Sequence, residues 1–129
     1  MMIGALVLFR SQPDEITLSF VGDIMLSRGV QSYLEEFGYD YPYEDVRDLF
    51  LQDDLTVGNL ECPITDYENA ANKAKRFLFK ADAENASALK RAGFDCLNLA
   101  NNHTMDYTSP GLLDTMTHLE ANGLDYVGA

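Results

Sequence analysis

Three short apolar runs limit what this chain can become. Residues 16–21, 54–58 and 94–99 are rich in β-branched, aromatic and aliphatic residues, and polar residues follow each run. Between them the apolar spacing turns helical. Residues 26–37 place Val30, Tyr33, Leu34 and Phe37 on one helical face before Gly38, and residues 45–51 predict a short helix with Val46, Leu49 and Phe50 inward. Asp82 stands where it can N-cap a helix ended by Gly93. Ser109 and Pro110 form an N-cap and N1 pair for a helix to about Asn122, with Leu112, Leu113, Met116 and Leu119 on one face. Residues 124–127 begin another strand. The stretches 39–43 and 62–75 read as loops, and 76–80 as a short strand. Strands alternating with helices predict an α/β fold built on parallel pairs.

Charge narrows the partners. Nine Lys and Arg against 21 Asp and Glu give a formal net charge of −12. Nucleic-acid binders need basic stripes, so no nucleic-acid partner is expected. Lys73, Lys75, Arg76 and Lys80 form the one basic cluster, suited either to an anionic substrate or to plain solvation. Cys62 and Cys96 have no metal-ligand spacing and read as buried thiols, a disulfide between them being the alternative. Residues 1–15 form an apolar leader and polar linker, too short to span a bilayer. They read either as the tail end of a membrane anchor or as a frayed leader or edge strand. Residues 16–129 form the domain.

In α/β folds, ligands bind outside the carboxyl ends of the parallel strands. There this chain places Asp23, then Asn59 and Glu61, then Asn101, Asn102 and His103. Each piece has an ordinary structural reading: Gly22-Asp23 and Gly58-Asn59 as turns, the Asn101-Asn102 amides as backbone caps, His103 as a hydrogen-bonded core histidine. Their joint occurrence after successive strands favours chemistry. Oxygen donors and an imidazole suit a divalent cation such as Mn²⁺, Fe²⁺, Mg²⁺ or Zn²⁺. A shared carboxylate lets two such ions sit about 3.5–4 Å apart and activate water, and an adjacent histidine can protonate a leaving group.

The stretches 20–29 (FVGDIMLSRG), 58–65 (GNLECPIT), 77–80 and 97–103 (LNLANNH), followed by Asp106-Tyr107 and residues 111–115, together resemble the CapA/PgsA family. These are the poly-γ-glutamate capsule biosynthesis proteins of the calcineurin-like metallophosphatase superfamily. The resemblance runs from about Ile16 to Ala129. It implies part of a four-layer αββα sandwich with a metal centre at the strand ends. It implies Asp23 as a ligand, and Glu61 as the bridging carboxylate with Asn59 as the alternate. Asn102 would be a further ligand, His103 the catalytic acid, and Asp106 either the group orienting His103 or a cap. Met25 stands where the wider superfamily has a histidine, as is usual in the CapA group. Thr108 stands where the family usually has glycine, so a positive φ there would be strained. The superfamily's later histidine motifs are expected beyond Ala129, which makes this the N-terminal half with an incomplete site and no turnover of generic phosphoesters by itself. The whole protein is expected to act on an anionic polymer or a phosphoester. It would be membrane-anchored outside the cytoplasm and could associate with other membrane subunits of a capsule synthesis complex. A non-catalytic, polymer-binding subunit on the same fold is the alternative.

Overall fold

A computed structural model describes residues 15–71 and 74–129. The apolar leader up to residue 14, and Lys73 of the basic cluster, lie outside the described residues. Four strands, β1 (Leu18–Ile24), β2 (Leu55–Leu60), β3 (Cys96–Asn98) and β4 (Asp125–Val127), form one sheet in the order β1-β2-β3-β4. Every pairing is parallel. The connections carry α1 (Gly29–Phe37) and α2 (Arg47–Phe50), then α3 (Glu84–Ala92), then α4 (Thr108–Ala121).

This order has a consequence. Parallel crossovers are right-handed, and when successive strands are added in one direction each crossover lands on the same face. Burial along β2 agrees: Thr56, Gly58 and Leu60 are buried, while Leu55, Val57 and Asn59 on the other face are only half-buried. The core lies between the helices and the first face, around Leu34, Leu60, Leu89, Phe94, Leu97 and Leu119. Phe50 and Tyr43 close it edge-on against Phe94, with ring centroids 5.1 and 6.0 Å away. On the second face Leu18 and Phe20 are 51% and 71% exposed. The described residues thus build one helical layer on one sheet, two of the four layers expected.

Several local expectations change. Residues 76–80 form no strand, because only Ala81 bridges a neighbour, Ile64, and Phe77 finds no sheet to join. Asp82 does not cap α3; its carboxylate instead accepts hydrogen bonds from Tyr39 (2.8 Å) and Gln31. Ser109 caps nothing, since α4 already begins at Thr108. Residues 41–43 form a 3₁₀ turn rather than plain loop. Tyr33, Phe37, Leu49 and Leu113, expected inward, are exposed. Tyr33 and Phe37 satisfy each other on the surface by stacking, at 6.1 Å. Gly58 is required where it stands, because a Cβ there would run into Ile24 Cδ1 and lie 3.1 Å from both Phe94 and Val21.

Candidate functional site

The site begins with an irregularity in β1. Phe20 pairs with Val57 but Asp23 pairs with Asn59, so β1 takes three steps where β2 takes two. The extra residue at Val21-Gly22 is a β-bulge, a device that re-aims the next side chain. It brings Asp23 onto the same face as Asn59. Gly22-Asp23 is therefore not a terminating turn; the strand continues to Ile24.

Asp23, Asn59 and Asn98 stand side by side on three adjacent strands. Asn59 Nδ2 donates to Asp23 Oδ1 at 2.7 Å, and Asn98 Nδ2 donates to Asn59 Oδ1 at 2.8 Å. Asn101 Nδ2 also reaches Asn59 Oδ1 (3.2 Å) and the Leu60 carbonyl (2.8 Å). Asn59 thus spends both ends of its amide on neighbours, and its evident work is to hold Asp23. Asn101 Oδ1 accepts the His103 backbone N–H at 2.9 Å, which ties the next loop to the same network.

That loop carries a buried dyad. His103 Nδ1 lies 2.7 Å from Asp106 Oδ2. An ionised carboxylate only accepts, so Nδ1 carries the proton and Nε2 is left facing Glu61, whose Oε1 is 4.0 Å away. Phe79 stacks on the imidazole at 4.0 Å, and its backbone N–H donates to Asp106 Oδ2 at 2.9 Å. Lys75 Nζ is ion-paired with Asp106 Oδ1 and donates to the Asn102 carbonyl at 3.0 Å. Burial pushes the Asp106 pKa up, but the hydrogen bonds from Lys75, His103 and Phe79 outweigh it and hold the group below its ordinary 3.8. Asp106 therefore orients His103, as the first of its two expected roles had it.

The oxygen donors left for a cation are Asp23 Oδ2, the Glu61 carboxylate and the Asn102 amide, with His103 Nε2 beside Glu61. No protein hydrogen bond to the first three is found among the described residues. Hard oxygen donors with an imidazole have the chemistry of a divalent site. Among the described residues, however, no three His, Cys, Asp or Glu side chains converge closely enough to hold an ion. The residues present fit one wall of such a site, not a closed cage.

Asn98, Lys75 and Phe79 escaped the sequence reading as site residues. Asn98 was hidden inside an apolar run, although its place two residues past Cys96 puts it on the face of Asn59. Nothing in the sequence singled out Lys75 from its basic neighbours. Cys62 and Cys96 are free thiols. Cys62 is buried, its Sγ 3.4 Å from the Leu26 nitrogen, and burial pushes its pKa up to about 12.

Comparison with known proteins gives the family. The profile of the bacterial capsule synthesis protein PGA_cap matches residues 17–129. The capsule biosynthesis protein CapA of Bacillus anthracis is 38% identical over 118 residues, covering 90% of this chain and 29% of the relative. The PGA biosynthesis protein CapA of Bacillus subtilis is 38% identical over 116 residues, covering 90% and 30%. A probable polyglutamine synthesis accessory protein of Mycobacterium tuberculosis is 26% identical over 154 residues, covering 91% and 39%. The chain thus spans about 30% of the length of the CapA relatives it matches. From residue 17 to its last residue, the chain belongs to the bacterial capsule synthesis protein family, PGA_cap.

Proposed function

We propose that the protein carrying this chain serves capsule polyglutamate synthesis or export through a metal-assisted hydrolytic site, of which Asp23, Glu61, Asn102 and His103 form one wall. The observation that carries this reading is the buried Asp106–His103 dyad. Its free Nε2 faces Glu61 across 4.0 Å at the carboxyl edge of a parallel sheet. Asp106 fixes the imidazole through Nδ1, so a proton held at Nε2 can pass to a leaving oxygen or nitrogen. Phe79 covers the ring and keeps water from its face. Asn59 holds Asp23 in register beside Glu61's strand. A divalent ion, when bound, would supply Lewis acidity and a more acidic water. Its remaining ligands would come from the part of the relatives' length that this chain does not span. Attachment to the membrane, outside the cytoplasm, belongs to the same reading.

The alternative is a polymer-holding subunit on the same fold that performs no chemistry. Metal separates the two. Mn²⁺ titration of the intact protein should show binding that Asp23→Asn and Asn102→Ala both weaken. An intact protein that takes up no Mn²⁺, Fe²⁺, Mg²⁺ or Zn²⁺ would refute the hydrolytic reading.

A further inference from the structure

We infer that Arg28 and Arg76, gathered on the exposed ring of Phe77, form an oxyanion-binding site beside the His103 dyad. The guanidinium carbons lie 5.0 and 5.1 Å from the Phe77 centroid. This inference deepens the proposed function. It rests on that reading only in taking the oxyanion to belong to a substrate of the same site.

The first ground is charge. With 21 acidic residues for nine basic ones, most cations here should find a carboxylate. Lys75, Lys80, Lys90 and Arg91 do, in Asp106, Glu68, Asp95 and Asp40. Among the described residues no carboxylate reaches either Arg28 or Arg76, so both guanidinium forks stay open. Stacking on an aromatic ring spends the flat face of a guanidinium and leaves its N–H edge free for a carboxylate or phosphate. The field of a −12 chain repels anions over most of its surface, so a local concentration of free arginine decides where one can dock.

The second ground is strain. Arg28 holds φ 58° and ψ −127°, a region that residues with a Cβ rarely enter. The residue makes no side-chain cap on α1, and its side chain touches Phe77 instead. Nothing in the folding of α1 needs arginine there; glycine would hold that backbone without strain. Strained residues of this kind persist where function fixes them.

The third ground is place. Phe77 is two residues from Phe79, which stacks on His103, and Lys80 N–H donates to Ser27 Oγ, next to Arg28. One short segment therefore brings the arginines and the dyad to the same corner. An oxyanion held there would be anchored next to the proton donor.

Titration calorimetry on the chain at low ionic strength tests this, with a glutamate oligomer as the carboxylate probe and inorganic phosphate as the other. Running it in EDTA keeps the result independent of the metal reading. At least one probe should bind, and whichever binds tighter names the oxyanion. Arg76→Gln should weaken that binding about tenfold or more. Arg28→Gly should weaken it similarly while raising the melting temperature, because it removes the strain and the charge together. A merely structural Arg28 would change the melting temperature and leave affinity alone. Should Arg28→Gly not fold, Arg76→Gln decides by itself, since that side chain is exposed. Failure of both probes to bind, or binding that Arg76→Gln leaves intact, would overturn the inference.

Discussion

Asp106→Asn is the most informative single change, because one buried carboxylate ties the 75–79 segment to the 103–106 loop. The wild-type group is 2% exposed and accepts from Lys75 Nζ, His103 Nδ1 and the Phe79 backbone N–H. Asparagine keeps the shape and one acceptor oxygen. It loses the charge, and with that oxygen toward His103 Nδ1 and the Phe79 N–H it turns an NH₂ toward Lys75, itself a donor. A hydrogen bond to a charged partner is worth about 1.5–3 kcal/mol, against about 0.5–1.5 kcal/mol for a neutral one. The two that remain are weakened by about 1 kcal/mol each, and the Lys75 bond is lost. The Lys75 contribution is discounted because a third of that side chain meets water. The net loss is about 2–4 kcal/mol. For a domain of this length the unfolding entropy near the midpoint is about 0.27 kcal/mol/K. The melting temperature should therefore fall by roughly 7–15 °C.

The pH dependence gives the sharper check. The folded pKa of Asp106 is depressed below 3.8. A depressed carboxylate contributes stability that is fully present above its unfolded pKa and lost as pH falls through the folded value. Circular dichroism melts at pH 7, 5 and 3 should show the full difference between wild type and variant at the first two, and a smaller one at the third. A fall under about 3 °C at pH 7 would refute the assignment of Asp106 as the ionised centre of this network. So would a difference that does not shrink under acid.

Other changes test separate parts of the fold. Thr108 sits at φ 62°, so Thr108→Gly should stabilise by about 1 kcal/mol in a urea unfolding curve, glycine's extra chain entropy offsetting part of the relieved strain. Gly58→Ala should destabilise by about 1–3 kcal/mol in the same assay, because its methyl meets Ile24, Phe94 and Val21 in a filled core. Cys62, buried and with its pKa pushed up to about 12, should react with a thiol reagent at pH 8 far more slowly than the partly exposed Cys96; equal rates would contradict the burial.

The sequence carried the alternation of strand and helix well, because apolar period is a local property and needs no partner. The four strands and the stops at Gly38 and Gly93 follow from it. The strain at Thr108 was legible only through the resemblance, because the family usually has glycine at that position. What stayed hidden was relational. The Val21-Gly22 bulge exists only as a mismatch between two strands, and by itself the dipeptide reads as a strand end. Phe77 and Phe79 alternate like strand residues, yet they are spent on two arginines and a histidine. Asp82 has the right chemistry for a cap, but Tyr39 and Gln31, more than 40 residues away, claim its carboxylate. That the Asn59 amide is shared with Asn98 and Asn101 shows only once another strand and another loop come together.

The bulge and the strand order together explain why the polar residues gather at one corner. Among the described residues, sequential right-handed crossovers leave the face of Leu18, Phe20 and Val57 without helices, and parallel sheets are stable chiefly when both faces are covered. The row Asp23–Asn59–Asn98 lies on that same face, at its carboxyl margin. Whatever covers the apolar part of the face also sets how much water reaches Asp23. Coverage lowers the local dielectric and strengthens any charge held there. Under the proposed function, sheet packing and cation affinity are coupled through one surface, and substitutions at Phe20 or Val57 should be felt at Asp23 without touching it.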